Sequence, residues 1–480
     1  MILPEEFKSR MQDMLGEAYP AFIRSYETTS HSALRINTLK GTREQFLDKA
    51  VFSGLREVAW EENGFYYSKQ QSVVRVGKHP LHEAGVYYIQ EPSAMVPAAY
   101  LEAKPQERVL DLCAAPGGKS TQTACYMQNQ GILVCNEIHP ARAKILSENI
   151  ERMGIRNALV TNETPQRLAE VFGGYFDRVL VDAPCSGEGM FRKNQEAVAE
   201  WNLENIQLCA ERQDEILDCA DRMLRSGGRL VYSTCTFAPE ENEGSIARFL
   251  MRHPDYHVLA VPLYSGMAAG NPQWAWIHNS VLTQQLEPQC RASLEHTIHL
   301  FPHLVEGEGH FLAVLHKAGE AESNIQRFPP KGIQMGVKAK EVKEFFQFQK
   351  ESLNLDLTEG RDNCLLRFGD QLYLMPLDMP SINQLKVLRI GLHLGTLKKN
   401  RFEPSHALAL ALNREEAKYT MELYQGDNTA AQAYLSGQVL PFEGEKGWRL
   451  ITYMGYSIGW GKGAGQTMKN HYPKGLRKSV

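Results

Sequence analysis

Val109-Leu-Asp-Leu-Cys-Ala-Ala-Pro-Gly-Gly-Lys-Ser120 reads as a short apolar strand that ends in a tight glycine turn and passes into a helix near Lys119. Outward from this stretch the same alternation repeats. Short apolar runs at Arg108–Leu112, Ile132–Asn136, Ala158–Thr161, Asp177–Val181 and Arg229–Ser233 predict strands, separated by segments of helical period. Pro140 suits a first helical turn, after which Ile145, Leu146, Ile150 and Met153 share one face. Ile206, Cys209, Ile216, Ala220, Met223 and Leu224 repeat that spacing until Ser226-Gly227-Gly228 ends the helix. The pattern predicts an α/β fold with a doubly wound, mostly parallel sheet over residues 76–317. Its loops should line the carboxyl edge, where such sheets bind ligands.

Glycines at 117 and 118 let backbone amides approach a ligand closely. A phosphate-binding loop needs G-x-x-x-x-G-K-[ST]; Gly118-Lys119-Ser120 fits its end, but Cys113 stands where the first glycine belongs. The G-x-G-x-x-G of a dinucleotide site is absent. An S-adenosyl-L-methionine site needs a loop curving under the methionine end and a carboxylate at the tip of the next strand for the ribose hydroxyls. Glu137 directly follows Ile132–Asn136 and supplies that acid. A purely structural turn with a solvated Glu137 is the plain alternative.

The chain has 480 residues, too many for one ordinary core. Residues 1–75 read as a small α+β unit, with helices over Glu5–Leu15, Pro20–Tyr26 and Thr42–Ser53 and a strand in Ser32–Leu39. Residues 318–384 read as a linker and middle region with a helix over Glu341–Glu351, and 385–480 as a β-rich module. Net charge is −4, unevenly spread: Leu385 to Val480 carries 14 Lys and Arg against 7 Asp and Glu, the remainder 38 against 49. A basic appendage on an acidic body points to a polyanion. Its aromatics Tyr453, Tyr456, Trp460 and Tyr472 lie near Lys462 and Lys469. No apolar run spans a membrane, and Met1-Ile-Leu-Pro-Glu-Glu-Phe7 lacks a signal-peptide pattern, so a cytoplasmic protein is expected.

Nine cysteines without C-x-x-C spacing speak against a disulfide framework or a zinc ribbon. Cys125, Cys135, Cys209 and Cys219 read as small core residues. Cys185 and Cys235 differ, because each follows an apolar strand in a polar loop: Asp182-Ala-Pro-Cys-Ser-Gly-Glu-Gly189 and Ser233-Thr-Cys-Thr236. A thiol there suits modification of a cytosine at carbon 5, a poor nucleophile. Thiolate addition at carbon 6 makes carbon 5 enamine-like, so that it can attack a sulfonium methyl. Methylation of an exocyclic nitrogen needs no such thiol.

These residues resemble the bacterial RNA (cytosine-5) methyltransferase family. The resemblance also includes Arg35-Ile-Asn-Thr-Leu39, Gln90-Glu-Pro-Ser-Ala-Met95, Gly307-Glu-Gly-His-Phe311 and Lys469-Asn-His-Tyr-Pro-Lys-Gly-Leu-Arg477, and spans nearly the whole chain. It implies a Rossmann-like catalytic domain, an N-terminal RNA-binding domain and a C-terminal PUA-like RNA-binding region. It further implies S-adenosyl-L-methionine as cofactor and 16S ribosomal RNA or the small ribosomal subunit as partner, with transfer RNA as the alternative substrate. By the same resemblance Cys235 is the nucleophile, and Cys185 is the second cysteine, linked to proton removal or product release. Asp182 lies between cofactor and base, and Lys119 near the reacting groups. Cys113, Ala114, Ala115, Pro116, Gly117, Gly118, Lys119, Glu137 and Asp182 match cofactor-binding positions. The family's usual Asp after the third strand is missing from Val160-Thr-Asn-Glu-Thr164. Thr164 stands at the match, and Asn162 or Glu163 is the expected substitute.

His296, His299, His303 and His310 form a histidine-rich stretch, but Pro302 interrupts it and the proposed chemistry needs no metal. The Lys398-Lys399-Asn400-Arg401 cluster is either a solvated turn or a phosphate contact. A catalytically inert RNA-binding assembly factor is the reading from another class. Two thiols in exposed loops argue against it.

Overall fold

A computed structural model describes residues 2–68, 75–276, 287–319, 332–361, 363–377 and 379–477. Helices Glu5–Leu15 and Tyr19–Ser25 lead into a four-stranded sheet of β1 (Ala33–Ile36), β2 (Arg56–Val58), β3 (Glu61–Tyr66) and β4 (Tyr87–Gln90), in the order β2-β3-β1-β4. The β4 strand pairs antiparallel with β1, so the first unit runs past the expected boundary at 75. The helix expected over Thr42–Ser53 is shorter, Arg43–Asp48. Thr42 caps it through the Gln45 amide, and Ala50 leaves it at a positive φ of 47°.

The central sheet is built on β5 (Arg108–Asp111), β6 (Ile132–Asn136), β7 (Ala158–Thr161), β8 (Phe176–Asp182) and β9 (Leu224–Thr234). They run parallel in the order β7-β6-β5-β8-β9. The chain reverses winding between β5 and β8, which opens the crevice where such sheets hold ligands. The Ser226-Gly227-Gly228 segment, expected as a helix stop, already lies inside β9, because Leu224 leaves the helix Leu203–Met223 directly into extended backbone. Beyond β9 come antiparallel β10 (Tyr256–Val258), β11 (Met267–Ala269), β12 (Ile298–Leu300) and β13 (His310–Lys317).

Alternation along the buried strands sends side chains to two cores. Val179, Val181, Leu230 and Tyr232 pack with Ile216, Leu217, Ala220 and Met223 of one helix. Leu180 and Val231 face the other side, with Leu133, Leu146 and Ile150. At roughly 1.5–3 kcal/mol for each buried large aliphatic side chain, this double burial is the main force holding the strand ends in register.

The region expected as linker is largely folded. Helix Lys343–Ser352 packs against β14 (Leu365–Phe368), β15 (Gln371–Leu374), β17 (Leu392–Lys398) and β18 (Arg401–Pro404), which form a four-stranded sheet. Between them, β16 (Val387–Ile390) pairs antiparallel with β7 and closes the free edge of the central sheet. The expected boundary at 385 therefore cuts just ahead of a strand of the catalytic sheet. The last sheet comprises β19 (Thr420–Glu422), β20 (Leu440–Pro441), β21 (Gly447–Tyr453), β22 (Tyr456–Ala464) and β23 (Thr467–Asn470). Ile451, Tyr453 and Ile458 from this sheet share a core with Leu34, Ile36 and Tyr87 of the first unit. Among the described residues no helix is long and apolar enough to cross a membrane.

Candidate active site

Four strand ends meet at the crevice. Parallel pairing of β8 with β9 puts Asp182 beside Ser233, and the turn after β9 carries Cys235. Antiparallel pairing of β13 with β9 sets Phe311 opposite Thr234, which brings His310 next to Cys235. The helix Gly118–Met127 starts at the end of the loop after β5 and delivers Lys119. Gly117 sits at φ 114°, a conformation that strains any side chain, and a Cβ there would meet Leu146 Cδ1 at 3.2 Å.

Asp182 is the electrostatic centre. Its Oδ2 accepts from Lys119 Nζ at 2.7 Å and its Oδ1 from Ser233 Oγ at 2.8 Å, with His310 Nε2 3.8 Å away. Burial alone would raise its pKa; the Lys119 ammonium and His310 outweigh that and hold the carboxyl well below the usual range. Lys119 responds in kind: burial would lower it, but Asp182 wins and keeps it firmly protonated, with Cys235 contributing in the same direction.

The two cysteine loops touch. Cys185 Sγ lies 3.3 Å from Cys235 Sγ, and the Cys235 amide donates to Cys185 Sγ at 3.3 Å. Both thiols are half-buried and free. Hydrogen bonding to Cys235, followed by burial, pushes the Cys185 thiol well above its ordinary pKa.

Two buried carboxylates fasten these loops. Glu188, in the Cys185 loop, accepts from Phe237 N and Thr236 Oγ1 at 3.0 Å each and from Trp201 Nε1 at 2.9 Å. Glu241, beyond the Cys235 loop, reaches back to the Ser186 amide at 3.0 Å and to Gln213 Nε2 at 2.8 Å. Ser186 Oγ and Thr236 Oγ1 are hydrogen-bonded at 2.8 Å, and the Gly189 amide donates to the Cys235 carbonyl at 2.9 Å. From the first unit, Phe22 packs edge-on against Phe237 at 5.3 Å. Burial raises the pKa of Glu188, and brings that of Glu241 up to about 8.

Beside the Asp182–Lys119 pair lies a cavity of about 210 Å³, lined by Tyr88, Asp111, the loop Cys113–Pro116, Gly118, Lys119 and Asp182. Asp111 Oδ2 accepts from Ser120 Oγ at 2.6 Å, whereas its buried Oδ1 has no partner. Burial lifts its pKa to about 7. Lys119 and Ser120 are thus both bonded to acids of the site, which removes the two side chains a phosphate-binding loop would use.

The third-strand residues behave differently from the expectation. Asn162 Nδ2 donates to the carbonyls of Glu137 and Ile138 at 2.7 and 2.8 Å, so the side chain braces the Glu137 turn and does not line the cavity. Glu163 Oε1 accepts from the Lys386 amide at 2.7 Å, and Thr164 caps the helix Pro165–Val171. Glu137 stands buried at the tip of β6, with Oε1 on the His139 amide at 2.9 Å and Oε2 3.5 Å from Arg142. It too lies outside the cavity lining.

Sequence reasoning missed His310, Glu188 and Asp111. In the sequence His310 is only one of four histidines in a single stretch. Its neighbour His299 is a core residue paired with Glu243 at 2.7 Å, and among the described residues no His, Cys, Asp or Glu cluster has the form of a metal site. Glu188 and Asp111 stand inside the quoted motifs, and an acid at the end of an apolar strand is the signal that could mark Asp111.

Comparison with known proteins accords with this geometry. The family described as 16S rRNA methyltransferase RsmB/F matches residues 98–316, and the N-terminal domain of 16S rRNA methyltransferase RsmF matches 3–92. The RsmF first C-terminal domain matches 347–412 and the methyltransferase RsmF PUA domain 423–478. Ribosomal RNA small subunit methyltransferase F of Vibrio cholerae serotype O1 (strain M66-2) is 34% identical, covering 99% of this chain and 97% of that one. The protein of the same name from Vibrio vulnificus (strain YJ016) is 33% identical, with the same coverage. A crystal structure of a methyltransferase homolog protein from Pyrococcus horikoshii superposes with a TM-score of 0.56 at 28% identity, covering 65% of this chain and 95% of that one. A match at this identity along essentially the full length of both partners, with four successive domains in the same order, settles the kinship: the chain belongs to the RsmF family of 16S rRNA methyltransferases.

Proposed function

We propose that this protein methylates carbon 5 of a cytosine in 16S ribosomal RNA, in the cytoplasm, using S-adenosyl-L-methionine. The observation that carries the reading is the pair of thiols 3.3 Å apart in the loops that follow β8 and β9, next to the Asp182–Lys119 pair that borders the cavity. The cavity suits the cofactor, because the unpartnered Asp111 Oδ1 offers an acceptor to an ammonium group. Asp111 and the loop Cys113–Gly118 would hold the methionine end, with Glu137 at the ribose. Bound there, the cofactor supplies an electrophilic sulfonium methyl.

Cys235 is the nucleophile. Its thiolate bonds to carbon 6 of a cytosine swung out of its stack. The ring electron pair then moves to carbon 5, which takes the methyl group. Loss of the carbon 5 proton returns electrons toward carbon 6 and expels the Cys235 thiolate. Asp182, ionised and 29% exposed, is a poor base and a good acceptor for the exocyclic amine of cytosine. Cys185 is better placed to take the proton. Its pKa is raised chiefly by Cys235, and bonding of Cys235 to the base removes that influence when a base is needed.

Bisulfite sequencing of 16S ribosomal RNA from cells with and without the protein tests the function. A cytosine protected only when the protein is present is the expected result; an identical protection pattern in both would refute it.

A further inference from the structure

One ring atom of the base still lacks a partner. When the Cys235 sulfur bonds to carbon 6, electron density moves through the ring to N3, and that nitrogen calls for a proton donor. Asp182, held ionised well below the usual carboxyl range, has no proton to give. Lys119 Nζ is engaged with Asp182 at 2.7 Å.

His310 is the remaining group at hand. It is 4% exposed, and its Nε2 lies 3.8 Å from Asp182 Oδ1, too far for a direct hydrogen bond. Among the described residues that buried nitrogen meets no hydrogen-bond partner, a cost that a ligand can relieve.

The ring is fixed by what surrounds it. Antiparallel register sets Phe311 opposite Thr234 and so puts His310 at the level of Cys235. The Gly309 amide donates to the Gly189 carbonyl at 3.2 Å. A Cβ on Gly309 would meet Gly189 Cα at 2.7 Å, so only glycine lets the start of β13 press against the Cys185 loop. Glu308 accepts from Arg192 Nε at 2.7 Å, and its amide donates to Glu91 Oε1 at 2.9 Å. Glu91 borders the cofactor cavity. Burial would raise its pKa, but Lys193, the Ser93 hydroxyl, the Glu308 amide and His310 prevail and lower it. The charge of a protonated His310 is thus felt by two carboxylates, Asp182 and Glu91.

Asp182 Oδ1 and His310 Nε2 set an acceptor beside a donor. Cytosine offers the complement along its Watson–Crick edge, an amine that donates and an N3 that accepts, whereas uracil offers the reverse. We propose that His310 is a further catalytic residue, whose Nε2–H bonds to N3 of the flipped cytosine and gives it a proton as Cys235 adds to carbon 6. It rests on the methyltransferase reading. The sulfur pair forms the bond to carbon 6, and the π pair between carbons 5 and 6 becomes a double bond between carbons 4 and 5. The former π pair between carbon 4 and N3 takes the proton, leaving a neutral imidazole. On methyl transfer the pair between carbons 4 and 5 bonds to the methyl, and carbon 4 regains its double bond to N3. As the carbon 5 proton leaves and Cys235 is expelled, the N3 proton returns to His310.

The test follows single turnovers on a 16S ribosomal RNA fragment carrying the cytosine located by bisulfite sequencing, and on the same fragment with 5-azacytidine in its place. A nitrogen at ring position 5 makes carbon 6 more electrophilic, so addition depends less on a proton at N3. His310→Phe, close in size and without a donor, should slow methyl transfer to the first RNA by about 10²–10⁴-fold. Its deficit in forming the covalent adduct with the second should be smaller by at least about ten-fold. His310→Gln keeps an N–H and should recover at least about ten-fold of the lost rate. Affinities for S-adenosylmethionine and RNA should stay within about two-fold of wild type in both variants, the sign of an intact fold. Equal deficits on the two RNAs mean a purely structural role and overturn the proposal, as does full activity in His310→Phe. Wild-type protein that neither methylates the first RNA nor traps the second refutes the methyltransferase reading itself, a failure seen without any variant.

Discussion

Glu188→Ala would strike the active site without touching a reacting atom. The substitution removes the acceptor of three buried donors: Phe237 N, Thr236 Oγ1 and Trp201 Nε1. A buried donor left unmet costs about 1–3 kcal/mol, so even the low end totals about 3 kcal/mol. Two of the three donors belong to residues one and two positions after Cys235, so the loop carrying the nucleophile relaxes first. A displacement near 1 Å costs about 10²-fold in rate. The expected result is kcat lower by about that factor, read as tritiated methyl transfer to 16S ribosomal RNA, with S-adenosylmethionine affinity unchanged. Glu188→Gln keeps one acceptor oxygen and should recover part of the loss. Full kcat in Glu188→Ala would refute the idea that this carboxylate holds the Cys235 loop.

Asp111→Asn should weaken S-adenosylmethionine binding about ten- to a hundred-fold, the worth of one hydrogen bond to a charged group. In the wild type, calorimetry should show binding strengthen as pH rises through about 7, as Asp111 ionises, and the variant should lose that dependence. Glu241, raised from 4.5 to about 8, holds its proton more tightly when folded than unfolded. Its contribution to stability is complete below the unfolded value and is lost as pH climbs through about 8. Unfolding free energies from denaturant titrations should therefore shift in favour of Glu241→Gln between pH 5 and 8, by up to about 4 kcal/mol at roughly 1.4 kcal/mol per pH unit. A constant difference across that range would mean that Glu241 is ionised throughout.

The parallel core was legible because each strand announces itself locally. A run such as Ile132–Asn136 is apolar on both faces, and the helices on either side carry their own period. The edge strand Val387–Ile390 was not legible, since only one of its sides meets a neighbour and its pairing partner, β7, lies far away in the chain. The same holds for Tyr87–Gln90, whose place in the first sheet depends on Ala33–Ile36. The cysteine loops stood out because polar residues follow apolar strands there. His310 did not, because its meaning arises from antiparallel register with β9 and from no pattern in its own neighbourhood. The position of Asn162 after β7 marks it as a cofactor contact, yet its amide is consumed by two backbone carbonyls, an outcome that depends on how the Glu137 turn folds.

The thiol at 235 bears the whole chemical account. Cys185→Ala, mixed with S-adenosylmethionine and 16S ribosomal RNA, denatured, digested and analysed by mass spectrometry, addresses it most directly. If Cys185 takes the proton, release slows by about 10²–10⁴-fold, and a methylated cytidine should accumulate on the peptide containing Cys235. Cys185→Ala/Cys235→Ala should give no adduct. A nucleotide attached elsewhere, or an adduct that survives in the double variant, would contradict the account.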